Sequence, residues 1–362
     1  MSPLFAGDSP DTRDSASQSV QFSLSDASRV GEARRVAVGF GARAGLSGNA
    51  LSDLGIVVTE IAGNAVRYAG RGEILLRPVV RNGRPGVEVL CIDRGPGMAN
   101  VAECMRDGYS TAGTMGTGLG AARRLAHHFD IHSTPEHGTG IVARIWLGGP
   151  PEAADGTAEI GAVCLPVAGE TASGDGWAAL TRPARTALLV VDGLGHGINA
   201  AAAADRARDH FSRNAARAPG EILSILHDAL RATRGAAAAV ASIDLKSREL
   251  RYAAVGNIAG RLLAAGRTRA LISSNGIVGH QANRGREFTY PWTDDSMLVM
   301  HSDGIRNQWK PELYPGLLQR DAALLAGVLF RDFMRDRDDI VVLTCRHRAG
   351  AGPASSGSDR AS

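Results

Sequence analysis

Two groups of residues in this chain are suited to handling phosphate, and they lie in opposite halves of the sequence. In the first half, Glu60 and Asn64 are four residues apart, so on a helix they share one face. Asn64 offers a neutral amide oxygen suited to a magnesium ion that bridges nucleotide phosphates, and Glu60 could orient or deprotonate an attacking hydroxyl or water. The pair therefore predicts a magnesium-nucleotide site.

Two glycine-rich segments follow this pair along the chain. Asp93 ends an apolar run, where its carboxylate can accept a hydrogen bond from an adenine amino group, while Gly95 and Gly97 let the backbone pass close to the base. The segment Gly116-Thr117-Gly118-Leu119-Gly120 precedes a predicted helix whose first amides and dipole can receive phosphates. Each motif alone is common, but the three in this order favour a nucleotide pocket.

The second half places four aspartates among glycine-rich turns. These are Asp175 after Ser173-Gly174, Asp192 in Asp192-Gly193-Leu194-Gly195-His196-Gly197, Asp303 in Ser302-Asp303-Gly304, and Asp338 in Asp338-Asp339. Two hard cations about 4 Å apart need several carboxylate oxygens. All four aspartates fall at the ends of predicted strands, where a site between two sheets could gather them. The set predicts a divalent-metal hydrolase site.

The hydrophobic pattern predicts the elements that carry these residues. In the first half it indicates helices over 27–44 and 51–68, strands over 73–80 and 87–92 joined by an Asn82-Gly83 turn, a helix over 119–129, and strands near Ile131 and Ile141. In the second half it indicates strands over 187–191, 239–244, 250–254, 297–301 and 340–344, with helices near 200–217, 221–233 and 321–332. The predicted class is α+β, with an α/β layer followed by a β-sandwich flanked by helices.

The length of 362 residues allows two domains, each large enough for its own core. Glycine, proline and small residues between residues 149 and 157 predict a linker, because they interrupt helices and strands. This linker separates two predicted domains, over 21–148 and 158–346. The segments 1–20 and 347–362 are rich in Ser, Asp, Gly and Ala, and we expect both to be disordered.

Composition excludes several classes of partner. The net charge is +3, and basic residues form no stripe interleaved with aromatics, so we expect neither nucleic-acid binding nor membrane binding. No apolar stretch approaches the 18 residues of a spanning helix. The four cysteines are far apart, and three lie in apolar runs, which favours reduced, buried thiols and a cytoplasmic protein.

Residues 51–146 resemble the GHKL ATPase superfamily, and within it the RsbT-like serine kinases of the anti-sigma and stressosome type. The matching segments are Thr59-Glu60-Ile61-Ala62-Gly63-Asn64, Tyr68-Ala69-Gly70-Arg71-Gly72, Asp93-Arg94-Gly95-Pro96-Gly97, and Asp107-Gly108-Tyr109-Ser110-Thr111 through Gly120. The resemblance implies a Bergerat-type α/β sandwich that binds Mg-ATP. It also implies a serine or threonine acceptor on a STAS-domain protein, with a sigma factor as a further candidate partner.

The same resemblance assigns roles within the pocket. It makes Glu60 the catalytic base, Asn64 the magnesium ligand and Asp93 the adenine contact, and it makes Gly116 through Gly120 the lid over the nucleotide, with Thr139 as a further nucleotide contact. Histidine kinases share this pocket but need an upstream helix with a phosphoacceptor histidine. No histidine precedes Leu51, so we discard that alternative.

Residues 158–346 resemble the PPM metal-dependent serine/threonine phosphatases, in particular the SpoIIE and RsbX-like branch. The four aspartate motifs carry the resemblance. It implies two Mn²⁺ or Mg²⁺ ions held by Asp175, Asp192, Asp303 and Asp338, with Asp192 bridging and the Gly193 carbonyl completing one coordination shell. Asp339 is expected to support the site and not to bind an ion. Metal-activated hydroxide would attack a phosphoserine or phosphothreonine.

The two resemblances together predict a stress-signalling regulator that works by partner switching, with a kinase and a phosphatase acting on STAS-domain proteins. An alternative stays open. The first domain can be an ATP-binding module of the anti-sigma type that sequesters a partner with little phosphotransfer, because one carboxylate does not distinguish fast transfer from slow.

Overall fold

The computed structural model of the chain describes residues 12–15, 18–105, 118–152, 156–282 and 285–347, with the backbone alone at 12–15 and 281–282. A short strand, β1 (Thr12–Ser15), comes before the first domain. The first domain contains α1 (Ala27–Arg43), α2 (Gly48–Asn64), α3 (Val101–Cys104), α4 (Gly118–Leu125), β2 (Val20–Leu24), β3 (Gly72–Arg81), β4 (Arg84–Asp93), β5 (His128–Ser133) and β6 (Thr139–Trp146).

The five strands of the first domain form one antiparallel sheet in the order β2-β3-β4-β6-β5. The predicted hairpin between β3 and β4 is confirmed, since Asn82 and Gly83 both have positive φ, at 49° and 73°. Helices α1 and α2 cover one face of the sheet, where Val57 and Ile61 belong to one buried cluster with Ile74 and Ile141. Burial of Val57 and Ile61 in this cluster fixes the rotation of α2 about its axis, and therefore the direction of the face that carries Glu60 and Asn64.

The second domain is a sandwich of two antiparallel sheets. Its elements are β7 (Ala158–Leu165), β8 (Asp175–Arg182), β9 (Arg185–Gly193), α5 (Ile198–Asn214), α6 (Pro219–Leu230), β10 (Ala236–Asp244), β11 (Glu249–Val255), β12 (Ala259–Ala264), β13 (Arg267–Ala270), β14 (Gly276–Ile277), β15 (Gln281–Ala282), β16 (Glu287–Pro291), β17 (Met297–His301), α7 (Ala322–Phe333) and β18 (Ile340–His347). One sheet has the order β1-β8-β9-β10-β11-β16, and the other has the order β13-β12-β17-β18-β7. Their facing sides enclose a core that includes Trp177, Tyr252 and Leu343.

Helix α7 is shared by the two domains. Residues 322–331 are buried on every side, which is typical of a helix held between two layers. Leu324 and Val328 belong to one buried cluster with Leu90 and Ile92 of the first sheet and with Val342 of the sandwich. The prediction that each half builds its own core is therefore only partly right, because one cluster spans both domains.

A buried ion network crosses the same interface. The Arg144 guanidinium donates to Glu88 Oε2 at 2.6 Å and to both carboxylate oxygens of Asp321 at 2.7 and 2.8 Å, while Arg77 donates to Glu88 Oε1 at 2.6 Å. Although burial acts to raise it, the charge of Arg144 holds the pKa of Asp321 well below its usual range. Removing one partner of a buried pair costs about 3–5 kcal/mol. The network thus disfavours any arrangement of the two domains that leaves one of its charges buried without a partner.

Two further sequence predictions differ from the structure. The predicted helix over 119–129 ends at Leu125, because the His127 amide donates to the Arg144 carbonyl and His128 begins β5. The segment 1–20 was expected to be disordered, whereas Thr12–Ser15 pairs with β8 as an edge strand. Backbone pairing needs no apolar side chains, so composition carries no signal for it. The predicted disordered tail lies outside the described residues, apart from His347, which ends β18.

The prediction for the cysteines is confirmed. All four are free, and Cys91, Cys164 and Cys345 are buried.

Acid is expected to destabilise the sandwich through His347. This residue ends β18, and burial lowers the pKa of its imidazole from 6.5 to about 4. The unfolded chain therefore binds the proton more readily than the folded one, and stability falls as the pH drops from 6.5 toward 4. Between pH 7 and pH 5 the loss from this group is about 2 kcal/mol.

Denaturant unfolding at both pH values checks this expectation. His347→Gln removes the titration and should weaken the pH dependence by that amount, whereas the same change at the exposed His280 should leave it unaltered. An equal loss of stability in the wild type and in His347→Gln would contradict it.

Candidate functional sites

Glu60 and Asn64 lie on the last turn of α2 and face the start of α4. A Cβ atom at Gly118 would lie 2.7 Å from Glu60 Oε2 and 3.5 Å from Asn64 Nδ2, so both side chains lie against the start of α4. Directly after Asn64 the helix widens into a π-helical turn over Ala65–Ala69, a feature frequent at functional sites. The structure thus brings together three of the residues that the sequence places in the nucleotide pocket.

Asp93 is the last residue of β4, and its carboxylate is held in one orientation. Its Oδ1 atom accepts the amide hydrogens of Gly95 at 2.8 Å and Thr139 at 3.1 Å. Burial is the largest influence on this carboxyl and raises its pKa, although both amide bonds act in the opposite direction. Within the described residues no hydrogen bond reaches Oδ2. That oxygen can accept a hydrogen bond from an exocyclic amine such as that of adenine.

The glycines of the Asp93 turn are required by close packing. Gly97 has φ +72°, and a Cβ there would lie 2.0 Å from the Thr134 carbonyl oxygen, while one at Gly95 would lie 2.6 Å from Ala69 Cβ. A side chain at Gly95 would push this turn away from the segment that follows Asn64, and one at Gly97 would push it away from Thr134. The turn and the end of α2 therefore stay adjacent.

The remaining predicted nucleotide contacts lie in or near α4. Gly116 and Thr117 fall outside the described residues. Leu119 packs against the core of the first domain, and Gly120 is buried in the first turn of α4. The hydroxyl of Thr139 is 2.9 Å from Ser133 Oγ, so this residue meets Asp93 through its backbone amide.

The four aspartates of the second half lie at one edge of the sandwich. Asp175 begins β8 and is the register partner of Asp192 in β9. In the other sheet, Asp303 lies two residues after β17, and Asp338 lies two residues before the neighbouring β18. Each sheet thus contributes two carboxylates, as their positions at strand ends predict.

The charges of these carboxylates act on one another. The pKa of Asp192 is raised to about 7, first by burial and then by the negative charges of Asp303 and Asp338. Burial and the charge of Asp192 raise the pKa of Asp175 well above its usual range. The Oδ2 atom of Asp175 is buried and has no hydrogen-bond partner among the described residues. A divalent cation would relieve both the repulsion and this unpaired oxygen, so these residues fit a metal centre.

The four aspartates do not form a complete metal-ligand set in this structure. Among the residues that the structure describes, no group of three or more His, Cys, Asp or Glu side chains is arranged to hold an ion. The four carboxylates can lie near one another without forming a closed ligand set, because their uncompensated negative charges repel.

Neighbouring residues hold the loops of this site. Both oxygens of Asp339 accept backbone amides, from Val167 at 2.7 Å and Gly174 at 2.6 Å, which fits a supporting role for this residue. The amide of Asn257 donates to Asp303 Oδ2 at 2.7 Å. At Gly193, a Cβ would lie 2.4 Å from the Ala200 carbonyl oxygen, so this turn also requires glycine.

Sequence reasoning missed one contact to the turn that carries Asp93. Arg331 of α7 donates from Nη1 to the Asp93 carbonyl oxygen at 2.8 Å, across 238 positions of sequence. No local pattern relates a buried arginine in an apolar helix to a turn in another domain. Only the packing of α7 on the first sheet brings them together.

Fold and site geometry define a histidine-kinase-like ATPase domain followed by a PPM-type phosphatase domain. Family models agree with this class: residues 23–145 match the histidine kinase-like ATPase domain, and residues 182–348 match stage II sporulation protein E (SpoIIE). The predicted fold class is confirmed for both halves.

Individual relatives give a finer placement. The chain is 38% identical over 90 residues to the serine/threonine-protein kinase RsbT of Bacillus subtilis, a match that covers 25% of this chain and 68% of RsbT. The chain belongs to the RsbT-like serine/threonine kinases, and its second half is a SpoIIE-type PPM phosphatase domain.

Solved structures resemble the chain as well. One, from a study of the bacterial stressosome as a modular system adapted to control secondary messenger signalling, is 28% identical and covers 52% of this chain and all of its own, with a TM-score of 0.50. RsbX in complex with magnesium is 20% identical and covers 54% of this chain and 98% of its own, with a TM-score of 0.48. No helix within the described residues is long and apolar enough to span a membrane.

Proposed function

We propose that this protein sets the phosphorylation state of STAS-domain partners by adding phosphate at the first site and removing it at the second. The identity to a serine/threonine-protein kinase supports the first activity, and the SpoIIE match supports the second. The likeness to a structure from the stressosome study supports STAS-domain proteins as substrates. A sigma factor regulated by such a partner would be the downstream target.

The kinase step follows from the convergence of Glu60, Asn64 and Gly118. Glu60 would accept the proton of the substrate serine or threonine hydroxyl. The hydroxyl oxygen would then bond to the γ-phosphorus of ATP as ADP leaves. Asp93 would bind the adenine amine through Oδ2, and the first amides of α4 would face the phosphates. Mg²⁺ bound through Asn64 would supply neutralisation of the phosphate charge.

The phosphatase step uses the carboxylate cluster. Asp175, Asp192, Asp303 and Asp338 would hold two divalent cations, which supply a hydroxide nucleophile at neutral pH and neutralise the phosphate oxygens. Asn257 and Asp339 would hold the loops in place through the contacts given above. The products are inorganic phosphate and the free serine or threonine hydroxyl.

The observation that carries the proposal is the presence of both sites in one chain, joined through α7. Because the two reactions oppose one another, the phosphorylated fraction of a shared substrate depends on the ratio of their rates. A signal that biases either domain would then switch the partner.

Mass spectrometry of a STAS-domain partner tests the proposal. The full chain with Mg-ATP should add 80 Da, about the mass of one phosphoryl group, to a serine or threonine of the partner. After ATP is removed, Mn²⁺ should allow the same chain to reverse the change. Tight ATP-dependent binding without phosphotransfer would favour the sequestering alternative, and phosphate that persists with Mn²⁺ would contradict the second activity.

A further inference from the structure

The turn that carries Asp93 is anchored by the phosphatase domain. Arg331 lies near the end of α7, is only 7% exposed, and donates to the Asp93 carbonyl oxygen at 2.8 Å. The next residue of the turn makes the reciprocal contact, since the Arg94 guanidinium donates to the Arg331 carbonyl oxygen. Two consecutive residues of the nucleotide pocket thus bind two atoms of one residue in the other domain.

Arg331 is itself held rigidly. Its Nε and Nη2 atoms donate to the two carboxylate oxygens of Asp332 at 2.9 and 2.7 Å, and this pairing fixes the plane of the guanidinium. Asp332 also accepts the hydroxyl of Tyr314 at 2.7 Å. The remaining guanidinium nitrogen, Nη1, therefore points at Asp93 in one defined direction.

The helix that carries Arg331 cannot shift easily against the first sheet. A Cβ at Gly327 would lie 3.1 Å from Leu90 Cδ2, and one at Gly140 would lie 3.3 Å from Leu324 Cδ2. The backbone of α7 at Gly327 therefore lies close to the Leu90 side chain of β4, and the Leu324 side chain of α7 lies close to the backbone of β6 at Gly140. Asp93 is consequently held on both sides, with its carboxylate bound by two amides of its own domain and its carbonyl bound by α7.

We infer that Arg331 is a positioning residue of the nucleotide pocket, so that the phosphatase domain sets the ATP affinity of the kinase domain. This inference rests on the proposed kinase function, because it concerns the same pocket. In the proposed pocket Asp93 would contact the base and not the transferred phosphate. Loss of Arg331 should therefore weaken ATP binding without changing the chemical step.

The test uses the full chain and ATP with Mg²⁺. Arg331→Ala should weaken ATP binding in calorimetry by about tenfold, because a charge-assisted hydrogen bond to the turn is lost. The KM for ATP should rise by a similar factor, with kcat within about twofold of wild type. Arg331→Lys keeps the charge but cannot contact Asp93 and both oxygens of Asp332 together, and it should give an intermediate affinity.

Arg320→Ala is the matched control, since Arg320 lies at the same interface, contacts Asp130 at 3.3 Å and is 45% exposed. It should bind ATP like the wild type. Equal affinity in wild type and Arg331→Ala would overturn the inference, as would an equal loss in Arg320→Ala, which would indicate general loosening. If circular dichroism shows that Arg331→Ala does not fold, Arg331→Lys decides the test. A wild-type ATP affinity in Arg331→Lys would then overturn the inference. Absence of ATP binding in the wild type would overturn the proposed kinase function together with the inference.

Discussion

Replacing Asp192 by Asn is expected to reduce Mn²⁺-dependent hydrolysis of a phosphoserine substrate by at least about 10³-fold. Asp192 is the register partner of Asp175 across the β8–β9 pair. Its pKa is raised first by burial and then by the charges of Asp303 and Asp338, so its charge is coupled to theirs. The substitution keeps the shape of the side chain and removes one negative charge. Turnover of a phosphopeptide at saturating Mn²⁺ measures the loss.

Asp294→Asn is the matched control for this prediction. Asp294 lies in the same domain, and its side chain is 84% exposed and paired with Arg248. Its substitution should leave hydrolysis within about twofold of wild type, as expected for a surface change. The metal-site assignment would be wrong if Asp192→Asn retained the activity of the control.

Replacing Glu60 by Gln is expected to reduce phosphotransfer by about 10²–10⁴-fold while ATP binding persists. Glutamine keeps the size of the side chain beside Gly118 but is no longer a base. The substitution does not alter Asp93, the proposed adenine contact. Transfer of radiolabelled phosphate to a STAS-domain protein gives the rate, and calorimetry gives the ATP affinity of the same sample.

The outcome also separates the two hypotheses for the first domain. Glu32→Gln on α1, where the side chain is 42% exposed and paired with Arg29, should behave like the wild type. If Glu60→Gln transfers phosphate as fast as this control, Glu60 is not the base. If the wild type itself transfers negligibly but binds a partner tightly, sequestration is the main activity of the domain.

Local patterns were sufficient to predict the elements around both sites. Glu60 and Asn64 are one helical turn apart, so their shared face follows from helix geometry alone. The aspartates of the second half follow or precede apolar strands, and strand ends meet at one edge when two sheets stack. The turn at Asn82 and Gly83 needs positive φ at both residues, which is a strictly local requirement.

Contacts between distant segments could not be predicted in this way. The apolar run of α7 indicates a buried helix but does not indicate the two surfaces that bury it. The pairing of Arg144 with Asp321 joins residues 177 positions apart, and neither has a sequence context that suggests the other. The end of α4 at Leu125 depends on backbone pairing of the next residues with β6, which overrides the local helical pattern.

The position of β1 means that the two domains cannot be separated by a single cut. The polypeptide first contributes an edge strand beside β8, then passes through the whole ATPase domain, and returns to the sandwich at β7. A protease acting between residues 149 and 157 would therefore leave two pieces that still share a sheet. Clean excision of the ATPase domain would require a second break between β1 and β2, and any truncation study of either half should be designed with both cuts in mind.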